Sequence, residues 1–165
     1  MITTHSETLR VRHAPADVFE LVAGVEQYPD FIPYLTSLRV LERVGEGDPG
    51  IFTAEAIVRY KVAKERFVTR VDANRDAQSI RVDLVEGPFK VLENDWRLTA
   101  LDDGSTRIDF QLRFQFSNMV LGMLLRANKE RAVRVLVNRF AAEAGRRYEK
   151  TGEWDFGDLR TIHTE

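Results

Sequence analysis

The sequence has no cysteine among its 165 residues, which excludes disulfide bonds, thiolate metal ligands and cysteine nucleophiles. Its three histidines, His5, His13 and His163, lie near the chain ends, and no HxxxH or HExxH spacing occurs. A Ser–His–Asp arrangement or a metal site gathers such groups at one place. We therefore expect no catalytic residue, no bound metal and no cofactor.

Long apolar runs and an excess of positive charge are also missing. No stretch approaches the roughly 20 apolar residues of a membrane-spanning helix, and the N-terminus does not resemble a secretory signal. The 24 lysines and arginines against 26 aspartates and glutamates give a formal net charge of -2, which argues against a DNA partner. We expect a cytoplasmic protein, and a peripheral position on the inner face of the cytoplasmic membrane stays open.

Apolar aromatic residues are abundant, with ten phenylalanines against two tryptophans and four tyrosines. From residue 37 onward apolar and polar residues alternate, which is typical of strands with one buried and one solvated face. The side chains on the buried face include Phe52, Ala54, Ala56, Val58, Tyr60, Phe67, Val82, Leu92, Trp96, Phe110, Leu112 and Phe114. The pattern predicts about six antiparallel strands after a first strand near Leu9 and one or two short helices.

The C-terminal region has a helical period. Val133, Leu136, Val137, Phe140 and Ala144 recur at three- and four-residue steps, which predicts one apolar stripe on a long helix from a cap at Ser117 to about Lys150. The fold class is therefore α+β, with a curved antiparallel sheet of six or seven strands around this helix. We expect one domain over residues 1–150 and a flexible tail over residues 151–165.

Two motifs resemble a known family. They are YPDFIP at residues 28–33 and GPFKVL at residues 87–92 followed by Trp96. Together with the order of elements they are similar to the START-type lipid-binding superfamily, and more closely to its coenzyme Q-binding branch, which includes proteins labelled ribosome-association toxins. This resemblance covers roughly residues 3–150. It implies a helix-grip fold with a hydrophobic tunnel, and binding of ubiquinone or another prenyl lipid in support of respiration.

The side chains that would line such a tunnel are those of the buried strand faces and of the helix stripe. Simple core packing is the alternative for each of them, although small Ala54 and Ala56 opposite bulky aromatics indicate spare volume. Three polar residues fall on the apolar side of the alternating pattern, namely Tyr60, Thr69 and Asn94. Of these, Asn94 and Tyr60 are candidates to hydrogen-bond a quinone carbonyl. The candidate ligand-binding residues are Phe52, Ala54, Ala56, Val58, Tyr60, Phe67, Val82, Leu92, Asn94, Trp96, Phe110, Leu112, Phe114, Val133, Leu136, Val137 and Phe140.

Two further apolar segments look exposed. We expect them to form the tunnel mouth and a transient membrane contact, with a dimer interface or burial under a loop as the alternatives. Their residues are Tyr28, Phe31, Ile32, Tyr34, Met119, Leu121, Leu124 and Leu125. The basic residues Arg126, Lys129, Arg131 and Arg134 follow directly and suit anionic lipid headgroups, a solvated helix face or ribosomal RNA.

Three functions stay open at this point. The first is a lipid chaperone that holds ubiquinone or a related prenyl lipid without covalent chemistry. The second is a factor that binds the large ribosomal subunit and blocks subunit association. The third is a polyketide cyclase or aromatase-like enzyme on the same fold, which needs an inward acid–base pair that the sequence pattern does not reveal.

Overall fold

Eight strands form one antiparallel sheet in the order β2-β3-β4-β5-β6-β7-β1-β8. A computed structural model describes residues 2–119, 122, 129–152 and 161–164. Each strand from β2 to β6 pairs with the next in sequence, and β1 lies between β7 and β8. The strands are β1 (Thr3–Val11), β2 (Leu35–Val44), β3 (Gly50–Tyr60), β4 (Ala63–Asn74), β5 (Ser79–Glu86), β6 (Phe89–Ala100), β7 (Thr106–Phe116) and β8 (Thr161–Thr164).

Helices cover one face of this sheet, called the inner face below. Helix α1 (Pro15–Ala23) begins with Pro15, whose missing N–H is no loss in a first turn, and a 3-10 helix (Val25–Asp30) follows it. Helix α2 (Lys129–Arg147) buries Val133, Val137 and Phe140 on one stripe. Helix α1 packs against both α2 and β6, so that the two helices and the sheet share one core. No helix in the described part of the chain is long and apolar enough to cross a membrane.

Irregular pairings bend the sheet around the helices. The register shifts between Leu35 and Ser37, between Val40 and Glu42, between Val68 and Thr69, and between Phe89 and Val91. A bulged strand bends and twists more strongly than a regular one. The sheet is therefore concave on the inner face, with its edge strand β2 far from β1 in the strand order.

The turn between β2 and β3 contains Gly45 and Gly47, and β3 begins at Gly50. Their GxGxxG spacing matches that of dinucleotide-binding loops. A dinucleotide loop leads from a strand into a helix, whereas this turn joins two antiparallel strands. The turn therefore has the geometry of a hairpin connection and not of a phosphate-binding loop.

The predicted α+β fold is confirmed, with seven strands from β1 to β7 and a long helix on the inner face. The sequence did not predict β8, which pairs with β1 inside the segment expected to be a tail. Thr151 at the start of that segment also donates its backbone N–H to Arg12 and its hydroxyl to Gly104. The predicted helix start at Ser117 leads into residues that lie mostly outside the described ones.

Candidate functional site

A cavity of about 390 Å³ lies between the inner face of the sheet and helix α2. Thirteen of the candidate ligand-binding residues lie on its wall. They are Ala54, Ala56, Val58, Phe67, Val82, Leu92, Asn94, Trp96, Leu112, Phe114, Val133, Leu136 and Phe140. The volume falls within the range of small-molecule sites, and the wall is almost wholly apolar, as such sites commonly are. Whether these residues bind a ligand stays a prediction.

The cavity exists because the middle of β3 carries small side chains. Ala54 and Ala56 face inward, paired with Thr69 and Phe67 on β4. Larger residues on the same strand would reach toward α2 and fill the space. Helix α1, the connection after it and the first residue of β2 supply further wall residues that the strand pattern did not point to, namely Val22, Val25, Pro33 and Leu35.

Four phenylalanines pack together on one part of the cavity wall. The ring of Phe89 lies 5.5 Å from Phe67 and 4.8 Å from Phe116, and Phe114 lies 5.8 Å from Phe116. Gly87 makes this possible, because a Cβ there would approach the Cβ of Phe67 to 2.4 Å. Phe89 and Phe116 line the cavity although neither was a candidate, and the glycine of the GPF motif is the signal that points to them.

A second aromatic group packs around Phe140 of helix α2. The Tyr28 and Phe31 rings each meet the Phe140 ring edge-on, at 5.0 Å and 5.3 Å, and Trp96 lies 5.1 Å from Phe140. The Tyr28 hydroxyl donates to the carbonyl of Val22. Burial raises the pKa of Tyr28, so this hydroxyl stays protonated and keeps its donor role. The rings fix the 3-10 helix against α2.

Among the described wall residues, two polar side chains that are not aromatic face the cavity, those of Asn94 and Thr69. Asn94 is already engaged, because its oxygen accepts from the Trp96 indole at 2.7 Å and its Nδ2 donates to the Gln111 carbonyl at 2.8 Å. Thr69 is 8% exposed, and its hydroxyl has no hydrogen-bond partner within the described residues. Thr69 is therefore a better-placed partner for a ligand than Asn94.

Four candidates from the buried faces do not line this cavity. Phe52 and Phe110 are buried in the packed core away from the cavity. The centroid of the Phe110 ring lies 4.8 Å from that of Trp96, in an edge-on contact. Val137 faces a much smaller void of about 20 Å³ on the side of Leu9. Tyr60 is 39% exposed at the end of β3 and does not line this cavity, and its predicted contact with a ligand head stays a prediction.

The residues predicted to form the tunnel mouth also fall into groups, of which one lies at the cavity and another is exposed to solvent. Tyr28 and Ile32 line the cavity, and Phe31 packs beside them. Tyr34 and Met119 are exposed, at 59% and 81%. Leu121, Leu124 and Leu125 lie outside the described residues. The structure thus joins the YPDFIP segment to the cavity, and a membrane contact there stays a prediction.

A buried acid–base pair, which sequence reasoning missed, lies on β1. His5 Nε2 is 3.3 Å from Glu7 Oε2, and both side chains are at most 2% exposed. His5, Glu7 and Leu9 are two residues apart from one another, and such residues point to the same face of a strand. This spacing was the sequence pattern that could have revealed the pair. The pair does not line the cavity, since the His5 ring stands edge-on to Phe110 behind the wall. In the described part of the chain no three such groups come close enough to hold a metal ion.

Known proteins are similar to this chain in sequence. The model of the polyketide cyclase / dehydrase and lipid transport family matches residues 11–141. The ribosome association toxin RatA of Escherichia coli is 35% identical over 140 residues, 84% of this chain and 85% of that protein. The mitochondrial coenzyme Q-binding protein coq10 of Schizosaccharomyces pombe is 27% identical over 116 residues, 68% of each chain.

Comparison with solved structures gives the same fold. A START superfamily protein from Mycobacterium smegmatis superposes with a TM-score of 0.73 at 19% identity, covering 87% of this chain and 98% of that one. At this identity the likeness concerns the fold alone. With the family model spanning most of the sheet and of α2, the chain belongs to the polyketide cyclase / dehydrase and lipid transport family and has its START-type helix-grip fold.

Proposed function

We propose that this protein binds ubiquinone or a related prenyl lipid in its cavity and carries it as a lipid chaperone in support of respiratory electron transport. The observation that carries the proposal is the apolar cavity of about 390 Å³ between β3, β4 and α2. Burial of apolar area is worth roughly 25 cal/mol per Å², so an isoprenoid chain gains affinity along its whole enclosed length. The similarity to coq10, named a coenzyme Q-binding protein, supports this ligand class.

The polar groups of the cavity wall suit a small, uncharged lipid headgroup that accepts hydrogen bonds. Thr69 offers a buried hydroxyl, and Asn94 retains one amide hydrogen beyond its bond to Gln111. A quinone carbonyl accepts hydrogen bonds and carries no charge. The wall residues that the structure describes include no lysine, arginine, aspartate or glutamate, so a charged head would be left unpaired among them.

The proposed role is binding and not catalysis. General acid–base chemistry needs its groups within hydrogen-bond reach of the substrate. His5 and Glu7 lie behind Phe110 and do not reach the cavity. The cyclase interpretation therefore has no reactive pair on the cavity wall within the described residues.

A titration with a short-chain ubiquinone analogue tests the proposal. Trp96 lines the cavity, and a Trp154→Phe background leaves it as the one indole of the chain. Saturable quenching of Trp96 is expected, and an alkane of equal length should bind more weakly because it lacks the carbonyl. Absence of saturable quenching would contradict the proposal.

A second candidate function is binding to the large ribosomal subunit. The observation in its favour is the 35% identity to a protein named ribosome association toxin. Sucrose-gradient sedimentation of purified subunits with the protein tests it. Salt-sensitive comigration with the large subunit and loss of assembled ribosomes would favour this function, and free protein at the top of the gradient would count against it.

A further inference from the structure

The tip of the β3–β4 hairpin, residues 59–64, carries an unusual set of exposed side chains. Strand β3 ends at Tyr60 and β4 begins at Ala63, so that Lys61 and Val62 form the turn. Val62 is wholly exposed, and Lys61 has a φ of 54°, in the left-handed region. Two-residue hairpin turns favour glycine, asparagine or aspartate at such positions. Here the turn instead presents an aliphatic and a cationic side chain to solvent.

The hairpin tip carries more positive than negative side chains. Arg59, Lys61 and Lys64 are all exposed, and none has an ion pair within the described part of the chain. Glu65 is the one carboxylate among residues 59–65. The next arginine, Arg66, is neutralised by Glu55 at 2.6 Å and by Glu86 at 2.6 Å. The tip therefore keeps an uncompensated positive charge.

Two tyrosines connect the tip to the cavity. The Tyr34 and Tyr60 rings meet edge-on at 5.1 Å, and the Tyr34 carbonyl accepts from the Arg59 backbone N–H at 2.8 Å. Their neighbours Pro33, Leu35 and Val58 are cavity wall residues. The cationic tip thus stands beside the part of the cavity wall that Pro33, Leu35 and Val58 form.

We propose that the hairpin tip, with Tyr34, docks on an anionic lipid bilayer. Val62 would enter the acyl boundary, the tyrosines would lie at headgroup level, and Arg59, Lys61 and Lys64 would contact lipid phosphates. Tyr34 also belongs to the apolar segment predicted to form the tunnel mouth, whereas the other residues of this surface form a strand turn with its own positive charge. Docking stands apart from the proposed cavity ligand, because it is measurable on vesicles that contain no prenyl lipid.

The composition of the tip favours a bilayer over RNA. A phosphate backbone gains nothing from an aliphatic side chain as fully exposed as Val62. The Tyr34 and Tyr60 rings pack edge-on against each other, and Lys61 lies over the Tyr60 ring at 5.4 Å. A single-strand platform requires open ring faces on which bases stack. An apolar tip within a ring of cations instead matches the layered chemistry of a membrane interface.

Site-specific labelling tests the proposal on the full chain. The absence of cysteine allows Val62→Cys to carry a single environment-sensitive fluorophore, with Val44→Cys, 51% exposed at the opposite end of β2, as the matched control. With vesicles of phosphatidylcholine and phosphatidylglycerol, a blue shift is expected at position 62 and none at 44. Unchanged emission at 62, while the protein sediments with the vesicles, would overturn the proposal, as would no sedimentation at all.

Charge variants separate lipid from RNA. Lys61→Glu should weaken vesicle binding at least roughly five-fold, the worth of one lysine near an anionic surface, while Arg97→Glu at the opposite end of the sheet should leave it unchanged. Equal vesicle affinity for Lys61→Glu and wild type would refute docking by the tip. Loss of RNA binding with vesicle affinity intact would assign the tip to RNA and likewise refute it. Trp96 quenching by a quinone, measured in parallel, reports the cavity separately.

Discussion

The indole N–H of Trp96 donates to the side-chain oxygen of Asn94 at 2.7 Å, between neighbours of the same face of β6. Asn94 in turn donates to the Gln111 carbonyl on β7 at 2.8 Å. The asparagine, predicted from the alternation to orient a ligand, therefore positions the tryptophan of the cavity wall. The Trp96 ring then meets both Phe110 and Phe140, which joins sheet and helix.

Replacement of Asn94 by alanine should lower the free energy of unfolding by about 1–3 kcal/mol, because the buried indole N–H loses its acceptor. Urea denaturation measures the change. In a Trp96→Phe background the same replacement should cost less, since the partner is already gone. Equal costs in the two backgrounds would show that Asn94 does not act through Trp96.

Replacement of Thr69 by valine should leave stability nearly unchanged and weaken binding of a quinone analogue. The hydroxyl has no partner in the described structure, so valine removes only a bond to the ligand. Such a bond is worth about 0.5–1.5 kcal/mol, or roughly two- to twelve-fold in affinity. Quenching of Trp96 measures it, with the exposed Thr99→Val as control. Unaltered affinity for Thr69→Val would remove Thr69 from the site.

Replacement of Ala54 by leucine should abolish binding without unfolding the protein. The added side chain enters space that is empty in the cavity, and it gains contacts there. Ala100→Leu, at the exposed end of β6, controls for the added bulk. Isothermal titration with the quinone analogue provides the readout, and full affinity in Ala54→Leu would place the ligand elsewhere.

Stability should fall in acid as Glu143 is protonated. Hydrogen bonds from Arg146 and Arg147, the latter 2.6 Å away, lower the pKa of Glu143 from 4.5 to about 2. A depressed folded-state pKa adds stability above the unfolded value, and that stability is lost between pH 4.5 and 2. Urea midpoints of wild type and Glu143→Gln should therefore converge over this interval. Parallel curves across it would show that the carboxylate adds no pH-dependent stability.

Much of the fold follows from periodicity. Two-residue alternation marks the inner faces of the strands, and the spacing of Val133, Val137 and Phe140 marks the buried stripe of α2. The four-residue strand β8 was not predictable, because its backbone pairs with β1 in a segment without any apolar pattern. Strand pairing at an edge depends on backbone groups and not on side-chain periodicity.

The cavity was predictable only in part. The two-residue alternation along a strand shows which face of the sheet a side chain lies on, and it correctly placed Ala54, Ala56 and Trp96 on the inner face. It does not show which part of that face the helices cover. Phe110 shares the parity and lies behind Trp96, while Tyr60 runs past the end of the wall. The wall residues in the connection after α1 could not be predicted, because they reach the cavity only through the way that connection packs against the sheet.

The central claim is that the cavity holds a prenyl lipid, and the lipid that copurifies with the protein tests it most directly. Organic extraction of protein purified without detergent, followed by mass spectrometry, should yield a prenyl lipid from wild type and little from Ala54→Leu, whose added side chain occupies the cavity. Recovery of no prenyl lipid from wild type, or of equal amounts from both proteins, would contradict the account.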